Sequence, residues 1–237
     1  MDQKKSFLEH LEELRRRTLV SLAVIAVLSA AAYSRSGYFL GLLAKPLGKL
    51  VFIAPQEAFL ARIKISIFAG ALISCPFLLY QAWMFVRDGL KENEKKRMGV
   101  YIPVSFVLFF VGAAFGYFVI IPIGLKFLLS YASPSLVPMI SVSNCISFVG
   151  TLTIAFGVVF ELPLAILFMT AIGVVTPRAL AAKRRYAILF IFVAAAVFTP
   201  PDVVTQLFMA VPLVILYEIS VALSRLVYRN SPDGYAE

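Results

Sequence analysis

Residues 146–175 read ISFVGTLTIAFGVVFELPLAILFMTAIGVV, thirty residues in which Glu161 is the only charged side chain. About 20 apolar residues of helix cross a hydrocarbon core roughly 30 Å thick, so this run spans a bilayer with length to spare. A carboxyl at that depth costs at least about 2.5 kcal/mol, and such residues face a protein interior or a wet cavity. At helical spacing the face of Glu161 also presents Gly150, Thr153, Gly157 and Ala165, while Phe148, Val159 and Phe160 point elsewhere. A small, polar stripe of that kind suits close helix packing or a water-lined groove. We read Glu161 as a functional residue, against the plainer alternative of a carboxyl hydrogen-bonded to a neighbouring helix. Pro163 predicts a bend of the axis beside the acid.

The rest of the chain has the same character. It is 61% hydrophobic and only 15% charged, with a mean hydropathy of +0.90, well outside the range of soluble domains. This composition predicts an all-α, polytopic membrane protein with no room for a separate soluble domain. The net charge of +9 is no sign of a nucleic-acid partner, because Lys and Arg cluster between the apolar runs. Cys75 and Cys145 are too few for a disulfide framework or a metal site, and His10 is the only histidine. The N-terminus has basic residues ahead of an apolar run ending in Ser29-Ala30-Ala31-Ala32, as a cleaved leader would. Glu9, Glu12 and Glu13 give it mixed charge, which argues against cleavage.

In order, residues 6–17 place Phe7, Leu8, Leu11 and Leu14 at helical spacing among charges, predicting a short amphipathic surface helix. It runs into a first span at about 18–33. Further spans are expected at about 63–86, 99–129, 146–175, 186–198 and 203–223. Segments 34–62 and 130–145 read as external caps, the first built of short helices, and 224–237 as a cytoplasmic tail. In the third span, Gly112-Ala113-Ala114-Phe115-Gly116 is a small-xxx-small pattern for tight helix packing. The fifth run has only thirteen residues, and Glu218 and Arg225 trim the sixth. Two short spans joined by the turn Thr199-Pro200-Pro201-Asp202 should thin the bilayer on their side, with Asp202 placed to cap the following helix. Six spans put both termini on one side. Sixteen of the 22 basic residues fall on the side of the termini and six on the other, which sets both termini in the cytoplasm.

Catalysis has little to work with. None of the four aspartates, Asp2, Asp88, Asp202 and Asp233, lies mid-span, so a paired-acid protease has no dyad. His10 lies outside the apolar runs, and no Gly-rich phosphate loop of the Walker type is present. Neither enzymatic activity nor a cofactor or metal is expected. Two readings survive: a proton-coupled small-solute transporter using Glu161, and a docking platform for another polypeptide. Paired broken helices in internal repeats would favour the transporter, and residues 1–118 and 119–237 show no such similarity.

The motifs His10-Leu11-Glu12-Glu13-Leu14-Arg15-Arg16-Arg17 and Tyr80-Gln81-Ala82-Trp83-Met84-Phe85, with Leu90 and Glu94, discriminate between these readings. So do Pro55-Gln56-Glu57-Ala58-Phe59 with Lys64, Phe160-Glu161-Leu162-Pro163, and Thr199-Pro200-Pro201-Asp202 with Gln206. Together and in this order they resemble TatC, the multi-spanning receptor of the twin-arginine protein translocase. One departure is visible: Arg87-Asp88-Gly89-Leu90 stands where the family usually has a Pro-Gly-Leu turn.

The resemblance implies a receptor for export signals bearing two consecutive arginines, moving folded proteins on the proton-motive force. It implies a curved bundle with a concave face holding Glu161 and with short fifth and sixth helices. Glu13, Arg15, Arg17, Phe85 and Glu94 would form the signal-peptide site, and guanidinium groups do pair bidentately with carboxylates. Glu161 and Gln206 would serve partner helices within the membrane, and Pro46 and Asp202 would act on the external side, in a functional or structural role. The implied partners are single-span TatA-type and TatB-type proteins, signal peptides of folded cargo, membrane lipids, and further copies of the chain within a larger complex.

Overall fold

No glycine or proline falls between residues 7 and 33, and the chain winds there into one helix, α1 (Phe7–Tyr33). The expected surface helix and first span are therefore a single rod rather than two segments, because nothing in the sequence breaks the hydrogen-bond ladder between them. The computed structural model describes residues 7–44, 50–90, 95, 98–131, 133, 139–199 and 202–229. These are helical apart from connections and an isolated bridge between Val51 and Ser141. They divide into two units, Met1–Phe106 with Met139–Ser147, and Val107–Pro138 with Phe148–Glu237.

In the first unit α1 lies along α3 (Glu57–Asp88), which continues through Pro76 and stops at Gly89. The crossing is close: a Cβ added at Gly70 would sit 2.2 Å from Ser29 Oγ and 2.6 Å from Ser29 N and Cα. Between them α2 (Ser36–Ala44) supplies the short helix expected in the first cap. Its Phe39, Leu40 and Leu43 pack on a buried cluster of Ala61, Ile65, Val142 and Ile146. Trp83 stacks on Tyr101, with centroids 5.8 Å apart, at the start of α4 (Met98–Phe115).

The second unit takes up α4 and continues through a π-helical turn, Gly116–Ile120, into α5 (Ile121–Leu129). Pro122 has no N–H to give the carbonyl four residues back, and the ladder widens so that Ile121 N reaches Gly116 O. The expected fourth span is two helical pieces, α6 (Val142–Val159) and α7 (Leu162–Ala171). Pro163 cannot bond Val159, and the backbone tightens so that Glu161 N bonds Val158 O at 3.1 Å. The predicted bend is thus an interruption at Phe160–Glu161. Small residues set the packing here: a Cβ at Gly112 would lie 2.5 Å from Phe156 O, and one at Gly157 would lie 2.6 Å from the Phe109 ring.

Gly173, at φ 76°, ends α7, and Val174 N closes the turn on Met169 O at 2.9 Å. The basic connection contains a short helix, α8 (Pro177–Ala182), capped by the Thr176 side chain. Then come α9 (Arg184–Phe198) and α10 (Val203–Arg229). Among the described residues, five stretches are long and apolar enough to cross a membrane: Leu8–Tyr33, Glu57–Asp88, Met98–Leu129, Val142–Ala171 and Val203–Tyr228. The expected fifth span, α9, has fifteen residues, about 22 Å of helix at 1.5 Å per residue. The helix expected as a short sixth span, α10, is not short. It has 27 residues and continues to Arg229 within what reads as the tail, because Glu218 and Arg225 interrupt the apolar run without interrupting the helix. Glu218 meets Arg184 at 2.8 Å, and Ser220 and Ser224 bond carbonyls of their own helix.

Candidate functional site

Two turns of α1 and the last two turns of α3 meet in the first unit. Helical spacing puts His10, Glu13 and Arg17 on one face of α1, and Gln81, Phe85 and Asp88 on one face of α3. Arg17 is the centre of the contact. Its Nε and Nη2 donate to Glu13 Oε1 at 2.9 and 2.5 Å, Nη1 to Gln81 Oε1 at 2.8 Å, and Nη2 to Asp88 Oδ2 at 3.1 Å. A planar fork with five N–H donors is the side chain suited to joining three acceptors on two helices. One turn away the His10 ring stacks on Phe85 at 4.3 Å between centroids. Two open cavities adjoin the cluster. One, of about 350 Å³, is lined by Glu9, Glu12, Glu13 and Arg16. The other, of about 410 Å³, is lined by Arg16, Arg17, Val20, Tyr80, Gln81 and Met84.

Of the residues expected to read a signal peptide, the fold therefore brings Glu13, Arg17 and Phe85 to one end of the α1–α3 pair. Arg15 is exposed on α1. Glu94 and Pro46 lie outside the described residues. Glu161 sits at the break in the second unit, as the residue before α7, with its Oε1 buried.

A family model described as TatC, Sec-independent protein translocase protein, matches residues 9–212. The chain belongs to the TatC family. The TatC protein of Carboxydothermus hydrogenoformans is 39% identical over 238 residues, covering 98% of each chain. That of Aquifex aeolicus is 39% identical and covers 95% of this chain and 97% of its own. A crystal structure of the twin arginine translocase receptor TatC matches with a TM-score of 0.86 at 39% identity, over 92% of this chain and 99% of that one. A second, in DDM, matches with a TM-score of 0.84 at 38% identity, over 91% and 99%. Family membership decides between the two readings left by the sequence in favour of Sec-independent protein translocation over solute transport. TatC is a family of translocase components rather than of enzymes.

In this TatC-family chain the remaining expected residues have clear structural partners. Gln206 Nε2 donates to Phe192 O at 2.9 Å and ties α10 to α9. Asp202 caps α10: Thr205 N donates to its Oδ1 at 2.7 Å, and Thr205 Oγ1 donates to Oδ2 at 2.5 Å. The cap was legible from sequence; the Gln206 bond was not, because nothing in sequence gives the register between the two helices.

Three members of the α1–α3 cluster, His10, Gln81 and Asp88, carry no role that the sequence alone assigns. The signal that finds two of them is spacing: Gln81 and Asp88 share a face with Phe85. A fourth omission is Glu57, the only acid between residues 34 and 86. The residue is 6% exposed, and its carboxylate accepts from Ile53 N at 2.7 Å, Ala54 N at 3.4 Å, Ser143 N at 3.0 Å and the Ser141 hydroxyl. Lys64 Nζ donates beside it to Ser143 Oγ at 2.7 Å and Ser147 Oγ at 3.1 Å. Acid and base thus bind the start of α3 to the start of α6.

Proposed function

We propose that this protein is the signal-recognising subunit of a twin-arginine translocase, a multi-pass protein of the inner membrane with six spans and both termini in the cytoplasm. It binds the paired arginines of folded cargo through Glu13 and Glu94, with Arg15 and Arg17 orienting the acids and Phe85 packing on the peptide. The observation that carries this reading is the guanidinium of Arg17 seated among Glu13, Gln81 and Asp88 beside the His10–Phe85 stack. A surface already built to hold one guanidinium has the charge and acceptor geometry for recognising others. Glu161, sunk at a helix break with Oε1 buried, supports a second role. It accepts a hydrogen bond from a polar group on a single-span partner of TatA or TatB type, and α9, too short to cross an unperturbed bilayer, thins the membrane nearby.

Two substitutions test the two parts separately. Glu94→Lys is expected to lower capture of an Arg-Arg signal peptide about a hundredfold, the loss that follows when one side of a close charge pair is reversed, while the protein stays inserted and folded. Equal capture of Arg-Arg and Lys-Lys peptides by the unsubstituted protein would defeat the receptor reading. Glu161→Ala is expected to leave peptide capture within about twofold and to reduce co-purification of single-span partners about tenfold, the loss of one buried charge-assisted hydrogen bond. Unchanged partner recovery would remove Glu161 from that role.

A further inference from the structure

We infer that Asp88 is a second arginine-reading acid of this chain, set opposite Glu13 by the guanidinium of Arg17. The inference rests on the receptor reading above and adds one further acid, Asp88, to its site. Its position is unfavourable for the helix itself. Asp88 is the last residue of α3, where the negative end of the helix dipole repels a carboxylate. Nor is it a strong staple: its side chain is 27% exposed in the pair with Arg17, and ion pairs open to solvent contribute little to stability.

The geometry accounts for it as part of a reader. Arg17 Nη2 touches both Glu13 Oε1 and Asp88 Oδ2, so the two carboxylates stand at a separation that a guanidinium spans. A carboxylate offers about four lone-pair positions, and Arg17 takes two bonds to Glu13 and one to Asp88. The 410 Å³ cavity lined by Arg17, Tyr80, Gln81 and Met84 opens beside the Arg17 guanidinium that joins them. A planar fork can address both acids at once, whereas a lysine ammonium is a point donor that favours one of them. Asp88 is therefore a residue that separates arginine from lysine and not simply one that adds negative charge.

The test compares synthetic Arg-Arg and Lys-Lys signal peptides binding to the full chain in lipid nanodiscs, with thermal unfolding measured in parallel. Asp88→Asn is expected to weaken the Arg-Arg peptide about tenfold and the Lys-Lys peptide by less than about twofold, and Asp88→Glu to restore most of the difference. Asp88→Ser reads the same ratio if the asparagine variant unfolds early. An equal loss for both peptides would mean a general charge effect and would overturn the inference. So would an unchanged preference in a protein whose unsubstituted form prefers Arg-Arg, and the receptor reading would then stand alone. An unsubstituted protein with no preference would sink both.

Discussion

Glu57→Ala is expected to destabilise the protein by about 4 kcal/mol, because it strips a buried acceptor from several donors at once. The Ser141 hydroxyl and Ser143 N lie on the segment that starts α6, and Ile53 N and Ala54 N on the turn that starts α3. Ile53 is largely exposed, so its amide can turn to water. Ser141 is buried, and a donor left there without a partner costs about 1–3 kcal/mol. Glu57→Gln keeps one acceptor oxygen but presents an amide N–H₂ to groups that also donate, and should fall between the two. Thermal unfolding in detergent checks the order: unsubstituted, then Gln, then Ala. If the alanine variant melts with the unsubstituted protein, the carboxylate is not what joins the two helix starts.

The second large effect belongs to the other unit. Gly112→Val should cost about 3 kcal/mol by overpacking, since its Cβ would fall 2.5 Å from Phe156 O and 2.6 Å from Phe160 Cβ. A flexible side chain could swing aside; a helix backbone carbonyl cannot, so α4 and α6 must separate. Phe160 immediately precedes Glu161, so the displacement reaches the helix break. Recovery of single-span partners should therefore fall along with the melting temperature, whereas Gly99→Ala on the same helix, with open space at its Cβ, should leave both unchanged. Normal stability and partner recovery in the valine variant would show that the helices do not pack as closely as this geometry requires.

Both effects fall on residues whose weight the sequence only partly revealed. Gly112 and Gly116 were legible as a packing pattern, because small residues at that spacing have few other uses in a membrane helix. Glu57 was visible only as part of a motif. Its four donors come from backbone amides and serines up to 86 residues away, and no periodicity reports such a contact. Arg17 was expected at the signal-peptide site, and its guanidinium bonds Glu13 one turn back. Its bonds to Gln81 and Asp88 cross between helices, and only the pairing of α1 with α3 creates them.

Sequence alone determined that this is an all-helical membrane protein, where its long apolar stretches lie, that Pro163 disturbs the helix axis beside Glu161, and that Asp202 caps a helix. Each is a local consequence of transfer free energy, of proline's missing N–H or of a side chain's reach to its own backbone, so neighbouring residues suffice to specify it. Tertiary structure decided which acids share a guanidinium, that Phe85 meets His10, that Gln206 bonds Phe192, and that the last helix runs on past its apolar length. Those depend on the register and approach of helices distant in sequence. That register is set by close packing at residues such as Gly70 and Gly112, where the absence of a single side chain lets two backbones touch.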